Sequence, residues 1–259
     1  MKLIGIALLG VLLLTAGVLA AEEAAAVAAP QTEVKMTRMD GLLAKLAKGE
    51  QVTIVALGDS NTELTFHTRG HLNYVGLLQA ALLEKYGPNR VIMINAGCCG
   101  EGAAGGLARL DRDVLRFKPD LVIICYWDGQ MAPLRQIVEK IRAAGPTEVL
   151  LRTPNPIVAP NMPAVTPRVA AGNEWPGTGK SVVADSILAL GAELGVPVVD
   201  HYHAWLAADR AHDGPPATNP NKLWMRMSDA THPGPLGHLA FYRELAPYFG
   251  LPEKLSWEF

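Results

Sequence analysis

The chain has 259 residues, 49% of them hydrophobic and 19% charged, with a formal net charge of -2. That length and apolar content suit one α/β domain of ordinary size, whereas two full domains would both be small. The near-neutral balance shows no excess of basic residues for the phosphates of nucleic acid, so no nucleic-acid partner is expected.

The first residues differ in kind from the rest. Lys2 supplies a positive start, Leu3 to Val18 are almost wholly apolar, and Val18-Leu19-Ala20 offers small residues for cleavage. This pattern predicts a secretory signal peptide over residues 1–20 and an exported protein, periplasmic or extracellular. The apolar run is short of the ~20 residues that a membrane span needs, so contact with a membrane is expected only through the uncleaved segment. No Cys follows it, so a lipid anchor is not suggested. Residues 21–50 read as an Ala/Glu-rich linker with an N-terminal helix, and 51–259 as the folded domain.

From Gln51 onward short apolar runs alternate with amphipathic ones. Val52 to Leu57 reads as a buried strand that ends in the turn residues Gly58-Asp59-Ser60-Asn61, and Tyr74 to Tyr86 as a helix stopped at Gly87-Pro88. Then follow a strand at Val91 to Asn95, a helix at Gly106 to Phe117, a strand at Leu121 to Cys125 and a helix at Leu134 to Ala144. Val149 to Arg152 and Val196 to Asp200 supply two more strands, with a helix from Val182 to Leu194 between them. Five such strands predict a parallel sheet covered on both faces, a three-layer α/β/α domain whose ligands bind at the carboxyl ends of the strands. The Pro/Gly-rich stretch from Thr153 to Lys180 is a long loop of the kind that is usually functional or mobile, and Asp213 to Asn221 is similar. Cys98, Cys99 and Cys125 are too few and odd in number for a disulfide framework. Adjacent Cys98 and Cys99 could form a redox pair, but without CxxC spacing or a nearby His they read as small, half-buried packing residues.

A serine on a Gly-led turn after a buried strand sits where a nucleophile can meet substrate. Serine needs a base, and that base needs a third group to fix its tautomer. Of the seven histidines, His232 has Asp229 three residues before it, within reach of Nδ1, and Pro233, Gly234, Pro235 and Gly237 fix the turn. The alternative for the pair is a helix cap at Asp229 with a surface His232.

Here the motifs carry a resemblance. Ile54 to Thr62, with ALGDSNT at its heart, resembles the first block of the SGNH/GDSL hydrolases, and Asp229-Ala230-Thr231-His232-Pro233 resembles their last block, D-x-x-H-P. Asn95 to Gly100 resembles the second block, N-x-x-x-x-G, and Gly106 to Leu110 the helix that follows it. The similarity spans roughly Gln51 to Phe249. It implies a flavodoxin-like five-stranded sheet and an ester-hydrolysing triad of Ser60, His232 and Asp229. It also implies an oxyanion hole from the backbone N–H groups of Ser60 and Gly100 and an Asn side chain of the third block. That third block, G-x-N-D in the family, departs here: Trp127-Asp128-Gly129-Gln130 puts Gly129 in place of the Asn. A lost oxyanion donor typically costs ~2.7–4 kcal/mol. Either Gln130 supplies an amide from the next position, or the hole works with two donors, or the enzyme is weak; the alternative role of Gln130 is to cap the helix beginning near Ala132.

Other polar candidates carry less. His201 and His203, and His67 and His71, have spacings that could bind a metal, but no ligand set accompanies them, so neither a metal nor another cofactor is expected. Trp127, Trp175, Trp205 and Trp224 could stack on sugar rings, Trp127 foremost by its place after the third strand. The expectation is an exported carboxylic-ester hydrolase acting on a small ester or acylated carbohydrate, a carbohydrate acetylesterase ahead of a lysophospholipase. The rival is a weakly active or inactive carbohydrate-binding protein that kept the fold.

Overall fold

The computed structural model describes residues 39–63, 68, 71–158, 180–211 and 222–257. The expected signal peptide, the cleavage site, most of the two Pro-rich loops, His67 and Trp175 lie outside the described residues. Backbone contacts divide the chain into Met1–Met36 and Thr37–Phe259, and every described residue belongs to the second unit.

In chain order the elements are helix α1 (Asp40–Ala47), strand β1 (Val52–Gly58), α2 (Tyr74–Tyr86), β2 (Val91–Gly97), α3 (Ala103–Ala108), α4 (Leu110–Asp113) and β3 (Leu121–Cys125). They continue with α5 (Met131–Ala144), β4 (Glu148–Arg152), α6 (Lys180–Leu194), β5 (Val198–Val199), α7 (His201–Ala211), α8 (Leu223–Arg226) and α9 (Pro235–Leu245). The strands form one parallel sheet in the order β2-β1-β3-β4-β5, the flavodoxin-like arrangement. Alternate side chains of the central strands feed two cores. Ile54, Ala56, Ile123 and Leu150 pack with α1, α2 and α9, while Val55, Leu57, Ile124 and Leu151 face α3, α5 and α6. Both faces are thus covered, which is why the strands read as continuous apolar runs rather than alternating ones.

Three elements differ from expectation. The single helix expected over Gly106 to Phe117 is α3, α4 and a 3-10 turn at Leu115–Phe117. Gly106 belongs inside α3 because a Cβ there would lie 1.9 Å from the Tyr126 hydroxyl. The break falls at Arg109, whose guanidinium turns inward to Glu101, Asp113, the Gly58 carbonyl and Tyr126. α5 starts three residues early because Pro133 falls in its first turn, where a missing N–H costs nothing. β5 is only two residues long: Pro197 has no N–H to give, and Asp200 leaves the strand to accept the His203 N–H at 3.2 Å in the first turn of α7.

The sheet order changes direction at β1, so its carboxyl end opens a crevice between the chains leaving β2 and β3. Gly58, the last residue of β1, lies level with Gly97 on one side and Cys125 on the other. The residues after these three positions form the rim of that crevice.

Candidate active site

The turn after β1 has little room. A Cβ on Gly58 would lie 2.3 Å from Thr62 Oγ1, and one on Gly97 would lie 2.2 Å from the Glu63 nitrogen. Two glycines therefore let the chain fold back across the strand ends. The Thr62 and Glu63 N–H groups donate to the Asp59 carbonyl at 3.0 and 3.1 Å, closing one helical turn with Ser60 inside it. The Thr62 carbonyl accepts the side-chain amides of Asn73, at 2.8 Å, and Asn95, at 2.6 Å. Asn73 also caps α2 by accepting the Gly76 N–H. Asp59 is wholly buried, accepting the N–H of Asn61 at 2.9 Å and of Trp127 at 3.1 Å, and so ties the β1 turn to the chain leaving β3. Burial pushes its carboxyl up to about 6, against the pull of those two N–H groups and the positive charge of Arg152.

Residues 227–233 make a second closed loop. Met227 and Pro233 form an antiparallel bridge, and the His232 carbonyl accepts the Ser228 N–H at 2.8 Å. Inside it Asp229 Oδ1 accepts the N–H groups of Thr231 and His232, both at 2.7 Å. The alternative of Asp229 as a helix cap does not hold, since α9 has no side-chain cap bond. Burial acts to raise the Asp229 carboxyl, but those N–H groups and the His232 ring outweigh it and hold it below the ordinary range. His232 Nδ1 stands 2.8 Å from Asp229 Oδ2, and Nε2 stands 3.0 Å from Ser60 Oγ. Against a carboxylate Nδ1 must be the donor, which leaves the Nε2 lone pair to accept the Ser60 O–H. Residues 172 apart in sequence meet in a relay that can draw a proton off the serine.

The turn after β2 leaves its strand beside the serine turn, the Cys98 N–H donating to the Gly58 carbonyl at 2.9 Å. The Glu101 N–H donates to the Cys98 carbonyl at 3.2 Å, and Gly100, at φ +73°, makes this a type II turn. The N–H of Gly100 belongs to the middle peptide of such a turn and takes no part in closing it. Neither it nor the N–H of Ser60 donates to any described residue. At the third position Gly129 has φ +73°, and Asp128 is committed: its Oδ2 accepts the Ala103 N–H at 3.0 Å and its Oδ1 the Gln130 N–H at 3.3 Å. Gln130 does not cap α5 with its side chain. Its amide lies beside Gly102, where a Cβ would be 3.4 Å from Nε2, and it makes no hydrogen bond to a described residue.

The model of the GDSL-like Lipase/Acylhydrolase family matches residues 56–240. The chain belongs to this family. As a GDSL-like acylhydrolase it is an ester-hydrolysing serine esterase. Among solved structures it is similar to Axe2, an acetylxylan esterase from Geobacillus stearothermophilus, at 20% identity and a TM-score of 0.60, with 80% of this chain and 98% of that one covered. It is also similar to a two-domain esterase, CEX, active on acetylated mannans and co-crystallised with mannopentaose, at 18% identity and a TM-score of 0.65. There 83% of this chain covers 54% of the other. At such identities these likenesses establish the fold alone. No curated protein sequence matches the chain significantly.

The remaining candidates fall elsewhere in this GDSL-like fold. His201 opens α7, not the end of β5, and is wholly buried: Arg152 Nε donates to its Nε2 at 2.8 Å, and Nδ1 meets Glu244. Burial and the charges of Arg152 and Arg226 push its pKa well below the ordinary value, so the ring is neutral. His203 pairs instead with Asp200 at 2.8 Å. No group of metal ligands occurs among the described residues. Trp205 is core, stacked on Phe241, whereas Trp127 stays 36% exposed at the rim and Trp224 is half-buried. Cys98 and Cys99 are exposed, not half-buried.

Sequence reasoning missed Asn155. Its Oδ1 accepts from Asn61 Nδ2 at 3.0 Å while its Nδ2 donates to the Thr231 carbonyl at 3.0 Å. Just beyond it the Val158 N–H donates to the Ala230 carbonyl at 2.9 Å. One buried amide therefore links the serine turn to the histidine loop. The signal was its place just beyond the carboxyl end of β4, which the surrounding prolines disguised as generic loop. Also missed was Arg152, wholly buried between the rings of Tyr74 and Phe241, at 3.9 and 4.3 Å from their centroids.

Proposed function

We propose that this chain is an exported carbohydrate esterase that removes short acyl groups, acetyl first among them, from acylated oligosaccharides. The observation that carries the reading is the Ser60–His232–Asp229 relay, with hydrogen bonds of 3.0 and 2.8 Å, together with the Ser60 and Gly100 N–H groups, which have no partner among the described residues. His232 Nε2 takes the Ser60 proton as Oγ attacks the ester carbonyl, and the Ser60 and Gly100 N–H groups receive the oxyanion. The imidazolium, held by Asp229, then gives its proton to the departing sugar hydroxyl. Water repeats the sequence on the acyl-enzyme. Fixed donors aimed at developing charge need no reorganisation as the reaction proceeds, which is why their lack of ground-state partners supports the reading. Trp127 at the rim suits the apolar face of a sugar ring. The activities in the names of the two similar structures, on acetylxylan and acetylated mannan, agree with that substrate class. Export rests on residues 1–20.

Gly129 favours a second reading, since a third block without its amide could belong to a protein that binds acylated glycans and turns them over slowly. Fluorophosphonate labelling separates the two. An activated Ser60 labels covalently, and Ser60→Ala abolishes the label together with acetate release from acetylated xylo- and manno-oligosaccharides. An unlabelled wild type that still binds these glycans would leave the binding protein. N-terminal sequencing of the natural product is expected to begin near Ala21, and an intact Met1 on a cytoplasmic protein would reject export.

A further inference from the structure

The two adjacent cysteines have no part in the chemistry above, yet they sit in its machinery. Both are exposed, whereas Cys125 is fully buried, its thiol pushed up to about 12 by that burial. Cys98 and Cys99 are the first two residues of the type II turn that presents the Gly100 N–H. Cys98 also lines a pocket of about 360 Å³ beside the edge strand β2, together with Arg109, Arg112, Asp113 and Arg116. Arg109 is engaged by Glu101 and Asp113, and Arg112 by Asp113. Arg116 forms no ion pair with a described residue and rests on the Phe117 ring at 4.5 Å. Three guanidinium groups against one lining carboxylate leave the pocket positive, so it draws in anions.

We propose that Cys98 and Cys99 form a redox-active dithiol whose pocket admits an anionic low-molecular-weight disulfide, such as oxidised glutathione, and whose closure to a vicinal disulfide disables the Gly100 oxyanion donor. Cys98, in the pocket, is the entry point. Its thiolate attacks one sulfur of the small disulfide, the S–S bond breaks, and the released thiolate takes up a proton equivalent to the one Cys98 lost. The Cys99 thiolate then attacks the Cys98 sulfur of the mixed disulfide, releasing the second small thiol in the same way. Two electrons and two protons pass from the cysteines to the small disulfide, which leaves as two thiols.

Closure reaches the oxyanion hole through geometry. Adjacent Cα atoms are about 3.8 Å apart across a trans peptide, below the ~4.4–6.8 Å of ordinary disulfides. No φ/ψ change can lengthen that spacing, so the ring closes only with strain on the Cys98–Cys99 peptide and the dihedrals on either side of it, which are the ones that shape the turn and aim the Gly100 N–H. The tension that shifts the turn also makes the closed ring easy for a thiol to reopen. The loss of activity rests on the reading of Gly100 under the proposed function, while the chemistry of the pair does not.

The test uses the reduced full chain and oxidised glutathione, with intact mass, thiol titration and ester hydrolysis followed in parallel. Wild type is expected to lose two hydrogens and two of the three thiols titrated after denaturation, with hydrolysis falling at least tenfold, and dithiothreitol reverses all three. Cys99→Ser should stop at one glutathionyl adduct, on Cys98. Arg112→Ala/Arg116→Ala should slow oxidation by glutathione disulfide at least about fivefold but leave oxidation by uncharged hydroxyethyl disulfide unchanged. A wild type that stays reduced, or that keeps stable glutathionyl adducts without closing, overturns the dithiol. A closed pair with undiminished hydrolysis overturns the coupling to Gly100. Reduced wild type without any esterase activity rejects the proposed function instead, and the masses still decide the dithiol.

Discussion

Replacing Asn155 by Ala tests whether the two halves of the relay are held together by that one amide. The substitution removes the acceptor of Asn61 Nδ2 and the donor to the Thr231 carbonyl, both at 3.0 Å, the first in the interior and the second half-buried. Asn61 Oδ1 is already buried without a partner, so the variant leaves that whole side chain unsatisfied. The stranded Asn61 amide costs about 1–3 kcal/mol and the half-buried Thr231 carbonyl about 1 kcal/mol, together a loss of roughly 2–4 kcal/mol. For a domain of this size 1 kcal/mol moves Tm by about 2–4 °C, so a fall of about 4–16 °C is expected. The Thr231 carbonyl is one residue from His232, and the Asn61 side chain is one residue from Ser60. A displacement of about 1 Å between base and nucleophile costs on the order of a hundredfold in rate. The Asn155→Ala variant should therefore lose about 10- to 100-fold in kcat on a small acetyl ester at a temperature where it is fully folded, with KM within about twofold. Calorimetry and steady-state kinetics on the same preparation make the measurement. A lower Tm with kcat intact would refute the positioning role and leave Asn155 as packing, and two unchanged quantities would refute the hydrogen-bond assignment itself.

Ser60→Ala and His232→Ala are expected to lower kcat at least about 10⁴-fold and Asp229→Ala less, because histidine still works as a base without its orienting carboxylate; unchanged turnover in Ser60→Ala removes the mechanism. Gln130→Ala should lower kcat about tenfold, roughly 1.4 kcal/mol, with KM unchanged, since its uncommitted amide must be frozen before it can reach an oxyanion. A silent Gln130→Ala together with a faster Gly129→Asn, an exchange that the left-handed φ of +73° tolerates better for Asn than for most residues, rejects Gln130 as the donor. The Asp59 carboxyl, raised from 3.8 to about 6 by burial, binds its proton more tightly folded than unfolded. That contribution to stability is complete below about pH 4 and is lost as pH rises through 6, at up to about 1.4 kcal/mol per pH unit. Glu244, raised from 4.5 to about 8 by burial, acts in the same sense over a wider window. Urea midpoints of wild type should thus fall relative to Asp59→Asn between pH 4 and 6, and a flat difference across that range shows that Asp59 titrates at its ordinary value.

The element order, the parallel sheet and the serine and histidine motifs were legible in the chain because each depends on local pattern. Val52 to Leu57 and Leu121 to Cys125 are continuous apolar runs because both faces of the sheet are covered. Gly58-Asp59-Ser60 marks the strand's exit, and three-residue spacing brings Asp229 to His232 Nδ1. The partners that cross between elements were not legible. Arg109 breaks a helix because its charge finds Glu101, Asp113 and Tyr126, which a periodicity reading cannot foresee. His201 and His203, two apart in sequence, point to Arg152 and to Asp200, so their spacing never became a metal site. Asn155 looked like one polar residue in a Pro-rich loop until folding placed Asn61 and Thr231, 94 and 76 residues away, on either side of its amide. Hydrophobic period and turn chemistry act over a few residues and are written in neighbouring letters. The pairing of buried polar groups is decided by which strand ends adjoin, and only the closed sheet settles that.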